Sequence, residues 1–281
     1  IINGAERVIV NQLHRSPGVD FLKHQAEGDR ALHACRIIPE RGSWIEVNVT
    51  KKDLLAVRID QSAKIAATTF VRAMDPAYAS NEAIIKTFYE NKIRNVRSSS
   101  AKPEYYAVSD IVDEESGEVL VKGGCQIGDA VTRLKKSKVK TISIIDQVSD
   151  PLILNTMAEE GVSDYEGALI KIYSRLRPGN PPQKEKAEKL FHEKFFDSNR
   201  YRLGKVGRFR LNRKFNQGVD ESEMTLRVED VINSIRYLLL LRSGEAGYEV
   251  DDIDHLGNRR LRTIEELAAD EIRKGFLKLR R

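Results

Sequence analysis

The chain has 281 residues, of which 41% are hydrophobic and 32% charged, a composition typical of a folded protein with a large polar surface. This length allows a sizeable core without disulfides or metals, and it predicts about two domains. The formal net charge of +5 permits a polyanionic partner but does not demand one.

Several classes of protein are excluded by simple features of the sequence. The spacing of Cys35 and Cys125, the two cysteines, matches neither a disulfide framework nor a zinc site. The longest wholly apolar run, Leu238 to Leu241, is far too short to span a membrane, so we expect a cytoplasmic protein. The chain starts without Met and stops within a helical pattern, and we interpret it as a fragment.

Sequence signatures of catalysis are missing as well. The chain contains none of the patterns GxxxxGKS/T, GxGxxG, HExxH or GxSxG. Its five histidines lack partners at helical spacing, and adjacent acidic residues on an extended chain point to opposite faces. We therefore predict no catalytic residue, cofactor or metal site in this chain.

The first sixty residues predict mainly sheet. Ile1 to Val10 contains two short β-prone runs around Asn3-Gly4, a pair typical of a tight hairpin turn. Ala34 to Ile59 predicts a small antiparallel unit of three β-prone runs. Between these blocks, Asp20 to Ala34 has little periodicity and predicts a surface loop.

The middle of the chain mixes helix and hairpin patterns. Asn81 to Arg94 has apolar residues near helical spacing, with Asn81 as a reasonable N-cap. Asp110 to Asp150 alternates hairpin signals with a lysine-rich helical stretch. Ser163 and Glu166 form a capping-box pattern at the start of another amphipathic helix. The fold class predicted is α+β, with small antiparallel sheets and helices mixed along the chain.

Three further helices are predicted in the last hundred residues. The first covers Gln183 to about Phe196, and the second begins near Val228 and ends before Gly244. Thr263 and Glu266 form a capping-box pattern that opens the third helix. We expect its apolar side to face inward, namely Ile264, Leu267, Ile272, Phe276 and Leu279.

The strongest basic run is Arg200 to Lys214, which carries seven basic residues and no acidic one. Such a run can contact phosphates, because these contacts give sequence-independent affinity that falls with salt. The competing interpretation is a solvated loop with no ligand.

Three segments resemble the bacterial RNA polymerase β subunit in the same order along the chain. They are ERVIVNQLHRSPGV at Glu6 to Val19, RIIPERGSWIEV at Arg36 to Val47, and DDIDHLGNRRLR at Asp251 to Arg262. Weaker matches to the same family lie between them, at Val57 to Asp60, Arg175 to Pro182, and Arg200 to Phe215. The resemblance therefore spans nearly the whole chain.

The resemblance implies an architecture and a role. Residues 1–15 and 254–281 would belong to the edge of the protrusion domain, and residues 16–253 would form the lobe domain inserted into it. Together they would wall one side of the DNA channel and contact the non-template strand and downstream duplex. Other polymerase subunits and sigma factor would be partners, and catalytic Mg²⁺ would be held by another subunit. The alternative is a docking module for transcription factors with little affinity for DNA.

The resemblance also implies a pocket for an unstacked base of the non-template strand, at Arg15, Trp44, Asp254 and Arg259. A carboxylate can accept hydrogen bonds from guanine, arginines can donate to bases or phosphates, and a tryptophan can stack on a base. Two alternatives remain open from the residues alone. A lone Trp in a strand, such as Trp44, is more typical of a core aromatic, and Asp254 and Arg259 are able to form a structural salt bridge with each other.

A second site implied by the resemblance is the edge of a rifamycin pocket, at Val10 and Gln12. The sequence also departs from the family at two places relevant to DNA, and one of them, Thr156 to Val162, lacks an arginine of the family pattern. After VRID the family often has arginines, whereas this chain has Gln61, Ser62 and Ala63. Basic contact to downstream DNA is not expected there.

Overall fold

The computed structural model describes residues 1, 3–25, 31–113, 116–148 and 150–280. Its strands are β1 (Gln12–Arg15), β2 (Gly18–Gln25), β3 (Ala31–Ile38), β4 (Ile45–Val49), β5 (Leu55–Ile59), β6 (Ile65–Ala66), β7 (Ile93–Arg97), β8 (Tyr106–Ala107), β9 (Ile111–Val112), β10 (Val119–Val121), β11 (Thr141–Ile145) and β12 (Arg259–Arg262). Its α-helices are α1 (Ala67–Met74), α2 (Asn81–Tyr89), α3 (Val131–Lys136), α4 (Leu152–Glu160), α5 (Tyr165–Leu176), α6 (Lys184–Phe195), α7 (Gly204–Phe215), α8 (Val228–Ser243) and α9 (Ile264–Arg280). The predicted α+β class is confirmed.

The main sheet is antiparallel and has the strand order β2-β3-β4-β5-β6. Its β4 alternates buried and half-buried residues, because one face of the sheet packs on the core. Helix α7 packs against β2, α8 against β3, and α1 against β5. The antiparallel unit predicted for Ala34 to Ile59 is thus confirmed, and it forms the centre of the larger hydrophobic core.

A second, smaller core lies in the region between α2 and α4. Strands β7, β11 and β8 form an antiparallel sheet in that order. Leu134 of α3 and Ile144 of β11 are fully buried in this core. Strands β9 and β10 form the hairpin that the sequence predicts within Asp110 to Asp150. Residues 93–145 therefore make a unit with a hydrophobic cluster of its own, which we call the small unit.

Two predictions in the first forty residues are wrong. Asn3 and Gly4 form a turn with positive φ, and Ile2 of the first β-prone run lies outside the described residues. The prediction for the second run is wrong, because residues 6–11 belong to no strand. The predicted loop from Asp20 to Ala34 is instead two paired strands, with residues 26–30 outside the described part. Asp20 breaks the apolar alternation because it is buried against Arg210, a partner 190 residues away.

Two helix starts differ by one residue from the prediction. Ser80, not Asn81, caps α2 by accepting a hydrogen bond from the backbone N–H of Ala83 at 3.1 Å. Asp164, not Ser163, caps α5 by accepting from the N–H of Gly167 at 3.0 Å. Aspartate and serine both cap helices well, so neighbouring candidates are hard to separate from sequence.

The last helix, α9, lies with its apolar side in solvent. No described residue of α9 is buried, and Phe276 and Leu279 are 66% and 84% exposed. The expectation that this side faces inward is wrong for Ile264, Ile272, Phe276 and Leu279, which are exposed, whereas Leu267 is half-buried. Among the described helices, none is both long and apolar enough to cross a membrane.

Candidate nucleic-acid interface

Strands β1 and β12 form a two-stranded antiparallel ribbon that brings the two ends of the chain together. Within this ribbon, Arg15 lies directly opposite Arg259, and His14 lies opposite Arg260. The backbone N–H of Ser16 donates to the carbonyl of Asn258 at 3.0 Å and extends the pairing by one step. Like charges placed directly opposite each other in a sheet destabilise it. The ribbon therefore concentrates positive charge at a cost in free energy.

The ribbon, the loop before β4 and α9 enclose an open cleft of about 870 Å³. Its walls include Arg15, Trp44 and Arg259, three of the four residues predicted to hold a base. The other charged or polar lining residues are His14, Glu40, Arg41, Arg202, Arg260, Arg262, Glu266, Asp270, Arg273 and Lys274. The cleft is thus lined by eight Arg or Lys residues against three Asp or Glu residues.

The positive charge of the cleft is only partly neutralised. Carboxylates of Glu40, Glu266 and Asp270 pair with Arg202, Arg260 and Arg262. Within the described part of the chain, no ion pair is formed by four other cleft residues: Arg15, Arg41, Arg259 and Arg273. A free guanidinium group in a cleft can bind a phosphate or a base edge.

Trp44 stands at the rim of this cleft with 40% of its surface exposed. Its backbone is fixed by Asp60, whose carboxylate accepts from the N–H of Trp44 at 2.9 Å and whose own N–H donates to the Trp44 carbonyl at 3.1 Å. Lys194 donates to the other carboxylate oxygen of Asp60 at 3.0 Å. Burial would raise the pKa of Asp60, but hydrogen bonds from Ser43 and Lys194 outweigh it and hold that pKa below its usual value. Trp44 is therefore not a core residue.

Gly42, two residues before Trp44, permits the close approach that shapes this loop. Its φ is +124°, and a Cβ there would lie 2.7 Å from Cδ2 of the Tyr201 ring. The neighbouring Arg41 exchanges backbone hydrogen bonds with Arg202 at 3.0 and 2.7 Å. The loop carrying Trp44 is thus fixed to the segment before α7 on one side and to β5 on the other.

Arg210 of α7 joins the ribbon to the main body. Its guanidinium donates to the carbonyls of Ser16 and Pro17 at 3.0 and 3.3 Å, and to side-chain oxygens of Asp20 and Asn258 at 2.9 and 3.0 Å. Ser16 follows Arg15 and Asn258 precedes Arg259, so one side chain holds both arginines in position relative to the main sheet. Burial raises the pKa of Asp20, although the charge of Arg210 opposes this.

The basic run Arg200 to Lys214 was predicted to be either a phosphate-binding segment or a solvated loop, and its structure matches neither prediction. It is mostly helix α7, and most of its cations have internal partners. Arg208 is fully buried and donates to both oxygens of Asp230, at 2.8 and 3.0 Å. Further ion pairs neutralise four more members of the run, Arg200, Arg202, Arg210 and Lys214. The run is mainly a structural element, and it is not the principal cationic surface.

The remaining predicted site residues lie outside the cleft. Asp254 is exposed, its N–H donates to Asp252 at 2.9 Å, and it forms no ion pair with Arg259. Val10 is 75% exposed just before the ribbon, and Gln12 is exposed within it, opposite Arg262. The structure brings neither of these two into a cavity with Trp44.

The sequence did not identify two residues that support the walls of the cleft. Asp60 and Arg210 support Trp44 and the ribbon through contacts over long sequence separations. Asp60 has φ +46°, uncommon for a residue other than glycine, but nothing in the sequence around it predicts this. Arg210 could have been found only because it lies in the family match at Arg200 to Phe215.

Two observations concern metal binding and the reactivity of Cys35, the buried one of the two cysteines. No group of three or more His, Cys, Asp or Glu side chains in that part of the chain is placed to hold a metal ion. Burial raises the pKa of the Cys35 thiol to about 12, so that side chain stays protonated and inert near neutral pH.

Comparison with known proteins shows what the chain is similar to. The family model for RNA polymerase Rpb2, domain 2, matches residues 136–262. Over its whole length the chain is 56% identical to the DNA-directed RNA polymerase subunit beta of Rhodopirellula baltica. It is 37% identical to the subunit of the same name from Leptospira biflexa, also over its whole length, and 39% identical to that of Chlamydia caviae over 99% of the chain.

The chain spans 23% of the Rhodopirellula relative and 24% of the Leptospira relative. Since the match covers the whole chain and its identity is high, the chain fits a fragment of a bacterial RNA polymerase β subunit, as its motifs predict.

Proposed function

We propose that the chain forms part of the DNA-channel wall of an RNA polymerase, and that the cleft receives a nucleic-acid strand. The observation that supports this most directly is the joint presence of Arg15, Arg259 and an exposed Trp44 around one cationic cleft. The guanidinium groups bind phosphates or base edges, and the indole face stacks on an unpaired base. Catalysis belongs to other parts of the enzyme.

The proposed ligand is a single strand, because a base must be unstacked to reach the Trp44 face. Such a strand is available where the duplex is opened, on the non-template side. Asp254 lies outside the cleft walls in the free chain. We propose that it reads guanine at the cleft entrance, through the exposed segment that leads into the ribbon.

The two ends of the chain would form one structural unit in the parent subunit. Residues 1–15 and 254–281 contain the paired ribbon strands and α9, whose apolar side is exposed here. Their assignment to a protrusion domain, with residues 16–253 inserted as a lobe, is part of this proposal. The remaining three quarters of the relatives' length would supply the elements that cover α9.

Binding of labelled single-stranded DNA to the chain tests the cleft. We expect the affinity to fall with salt, and Trp44→Ala to weaken it about fivefold or more, since one stacked base is worth roughly 1–3 kcal/mol. Phe209→Ala is the matched control, because Phe209 is a similarly exposed aromatic residue outside the cleft. Equal affinity of both variants and the unmodified chain would remove the stacking role and favour the docking alternative.

The proposed role of Asp254 can be tested only in the assembled enzyme. In polymerase reconstituted with Asp254→Ala in this subunit, we expect loss of discrimination for guanine at one non-template position. Asp129→Ala is the control, since Asp129 is an exposed aspartate that does not line the cleft. Intact discrimination in the Asp254 variant would exclude that residue from the pocket without affecting the roles of Arg15 and Trp44.

A further inference from the structure

A surface pocket of about 300 Å³ lies where the ends of α1 and α6 meet the beginnings of α5 and α8. Its apolar walls are Met74 at the end of α1, Phe191 of α6, Phe196 just after α6, and Val228, the first residue of α8. Ligand pockets run from roughly 300 to 1,000 Å³, so this one has room for a single side chain or a small molecule. We call it the aromatic pocket.

Two carboxylates stand at the edge of the aromatic pocket. Asp75 directly follows α1, and Glu188 is exposed on α6, one turn before Phe191. Neither forms an ion pair with a described residue. The lysine close to Glu188, Lys184, pairs instead with Glu166 at 3.1 Å. Among the described residues that line the pocket, none is Lys or Arg, so no such cation neutralises the two carboxylates.

Tyr165, the first residue of α5, shows that the two carboxylates face the same space. Its hydroxyl donates a hydrogen bond to the Glu188 carboxylate. Burial raises the pKa of Tyr165, and the negative charges of Glu188 and Asp75 raise it further, so both lie within electrostatic reach of one hydroxyl. The N–H of Ala77 donates to Oδ1 of Asp75 at 2.8 Å and fixes that carboxylate. The negative charge is thus concentrated and held in place.

The wall on the α6 side presents aromatic rings. Phe191 packs on Phe70 and Phe195 of the larger core, with ring centroids 5.8 and 4.9 Å apart. Phe196 is only half-buried, and its ring lies 6.1 Å from that of Phe191 and 5.9 Å from that of His192. A half-buried ring can offer its face to a cation, and this contact is attractive within about 6 Å of the ring centroid.

A structural role explains only part of this arrangement. Asp75 caps the turn Pro76–Tyr78, and Phe191 belongs to the core. Neither role requires Glu188 and Phe196 to flank an open cavity beside them. Two carboxylates that share one pocket repel each other, and a cationic ligand would relieve this repulsion.

We infer that the aromatic pocket binds the guanidinium group of an arginine side chain from a partner protein. A guanidinium group stacks on aromatic rings, donates to carboxylates through a planar fork of N–H groups, and is more weakly hydrated than an ammonium group. Its aliphatic stem packs on Met74 and Val228, while the rest of the partner stays at the surface. An arginine seated in such a pocket is a common anchor of protein interfaces.

The experiment measures binding of a blocked Gly-Arg-Gly peptide to the whole chain by NMR, with isotope-labelled methionine methyl groups. Of the three methionines, only Met74 lines the pocket, so Met157 and Met224 are internal references and report that each variant is folded. The matched peptide has citrulline in place of arginine, which keeps the shape and removes the charge. We expect a saturable shift of the Met74 signal with the arginine peptide, and binding of the citrulline peptide about tenfold weaker.

Variants of the chain identify the contacts. Glu188→Gln should weaken binding of the arginine peptide about tenfold, because a charged hydrogen-bond acceptor becomes neutral. Glu185→Gln is the control and should bind normally, since it removes the same charge from an exposed residue of α6 that does not line the pocket. Phe196→Leu should weaken binding about threefold, because the wall stays apolar but loses its aromatic face.

The inference is overturned by an unshifted Met74 signal, by equal affinity for the arginine and citrulline peptides, or by equal effects of the two glutamate substitutions. A lysine peptide should bind more weakly than the arginine peptide, and equal affinity would contradict recognition of a guanidinium group. The free guanidinium ion should also bind more weakly, because it lacks the stem. If it binds equally well, the ligand is a small guanidinium compound and the partner protein is wrong.

This site does not depend on the proposed function of the cleft, because the two share no lining residue. Trp44→Ala should leave binding of the arginine peptide unchanged, and Glu188→Gln should leave binding of single-stranded DNA unchanged. Loss of only one activity would therefore identify which of the two sites is wrong.

Discussion

Arg15 and Arg259 face each other across the β1–β12 ribbon, and neither forms an ion pair with the described residues. A sheet normally places opposite charges or apolar residues at such positions, because like charges there reduce stability. The two arginines therefore make the ribbon less stable at the place where they give the cleft positive charge. This combination is typical of a binding site whose ligand supplies the missing negative charge.

The first prediction follows from this repulsion. Arg15→Gln should raise the free energy of unfolding by a few tenths of a kcal/mol, because one of the two facing charges is removed. The same variant should bind single-stranded DNA more weakly. Chemical denaturation and DNA titration of the same sample measure both effects. A variant that is less stable and binds equally well would contradict the account of the ribbon.

The second prediction concerns the contact between Arg210 and Asp20. Arg210→Ala should lower stability by about 3 kcal/mol, because it leaves the Asp20 carboxylate buried without its partner. In the double variant with Asp20→Asn, part of this loss should be recovered. A double-mutant cycle by urea denaturation gives the coupling, which we expect to exceed about 0.5 kcal/mol. Additive effects would mean that the two side chains do not interact in solution.

The third prediction is a pH dependence from Asp20, whose pKa burial raises. A carboxyl group with a raised pKa in the folded state binds its proton more tightly there than in the unfolded chain. Its contribution therefore stabilises the protein increasingly as pH falls from neutral towards about 4, the ordinary pKa of aspartate. Asp20→Asn lacks this gain.

The measurement for Asp20 is the stability difference between the unmodified chain and Asp20→Asn. This difference should move in favour of the unmodified chain as pH falls through that window, while the effects of other carboxylates cancel. A difference that shifts in the opposite direction would show that Arg210 lowers the pKa of Asp20 more than burial raises it.

The fourth prediction concerns Gly42. Gly42→Ala should reduce stability by about 1–3 kcal/mol, because its φ of +124° is strained for alanine and the new methyl group meets the Tyr201 ring. Binding of single-stranded DNA should weaken too, since Trp44 follows two residues later. Gly218→Ala is the control, because a Cβ there meets no atom within 4 Å and its φ is unexceptional. Thermal unfolding distinguishes the two variants.

Elements with a strong local sequence pattern were predicted correctly, whereas elements that depend on contacts between distant residues were not. The antiparallel unit around Val47 and the helix that ends before Gly244 have strong local patterns, and both were predicted. Asp20 was misassigned to a loop because its partner Arg210 is distant in sequence. Tertiary contacts of this kind override local propensity, and a single sequence does not reveal them.

The candidate site, like the fold, was predicted from the sequence only in part. Family motifs pointed to Arg15, Trp44 and Arg259, which the structure places around one cleft, and to Asp254, which it places outside. The number of basic residues suggested Arg200 to Lys214 as a cationic surface. A count of charges does not show which of them are neutralised inside the protein, as Arg208 is by Asp230. The unpaired arginines of the cleft, Arg41 and Arg273, became visible only through the geometry.

The emission of Trp44 tests the central claim most directly, because Trp44 is the only tryptophan of the chain and reports on the cleft without a label. Titration with single-stranded DNA should quench this emission, and added salt should restore it as the strand dissociates. A strand without bases should bind through its phosphates but quench far less. Unchanged emission while labelled single-stranded DNA binds the same chain would contradict a base stacked on Trp44.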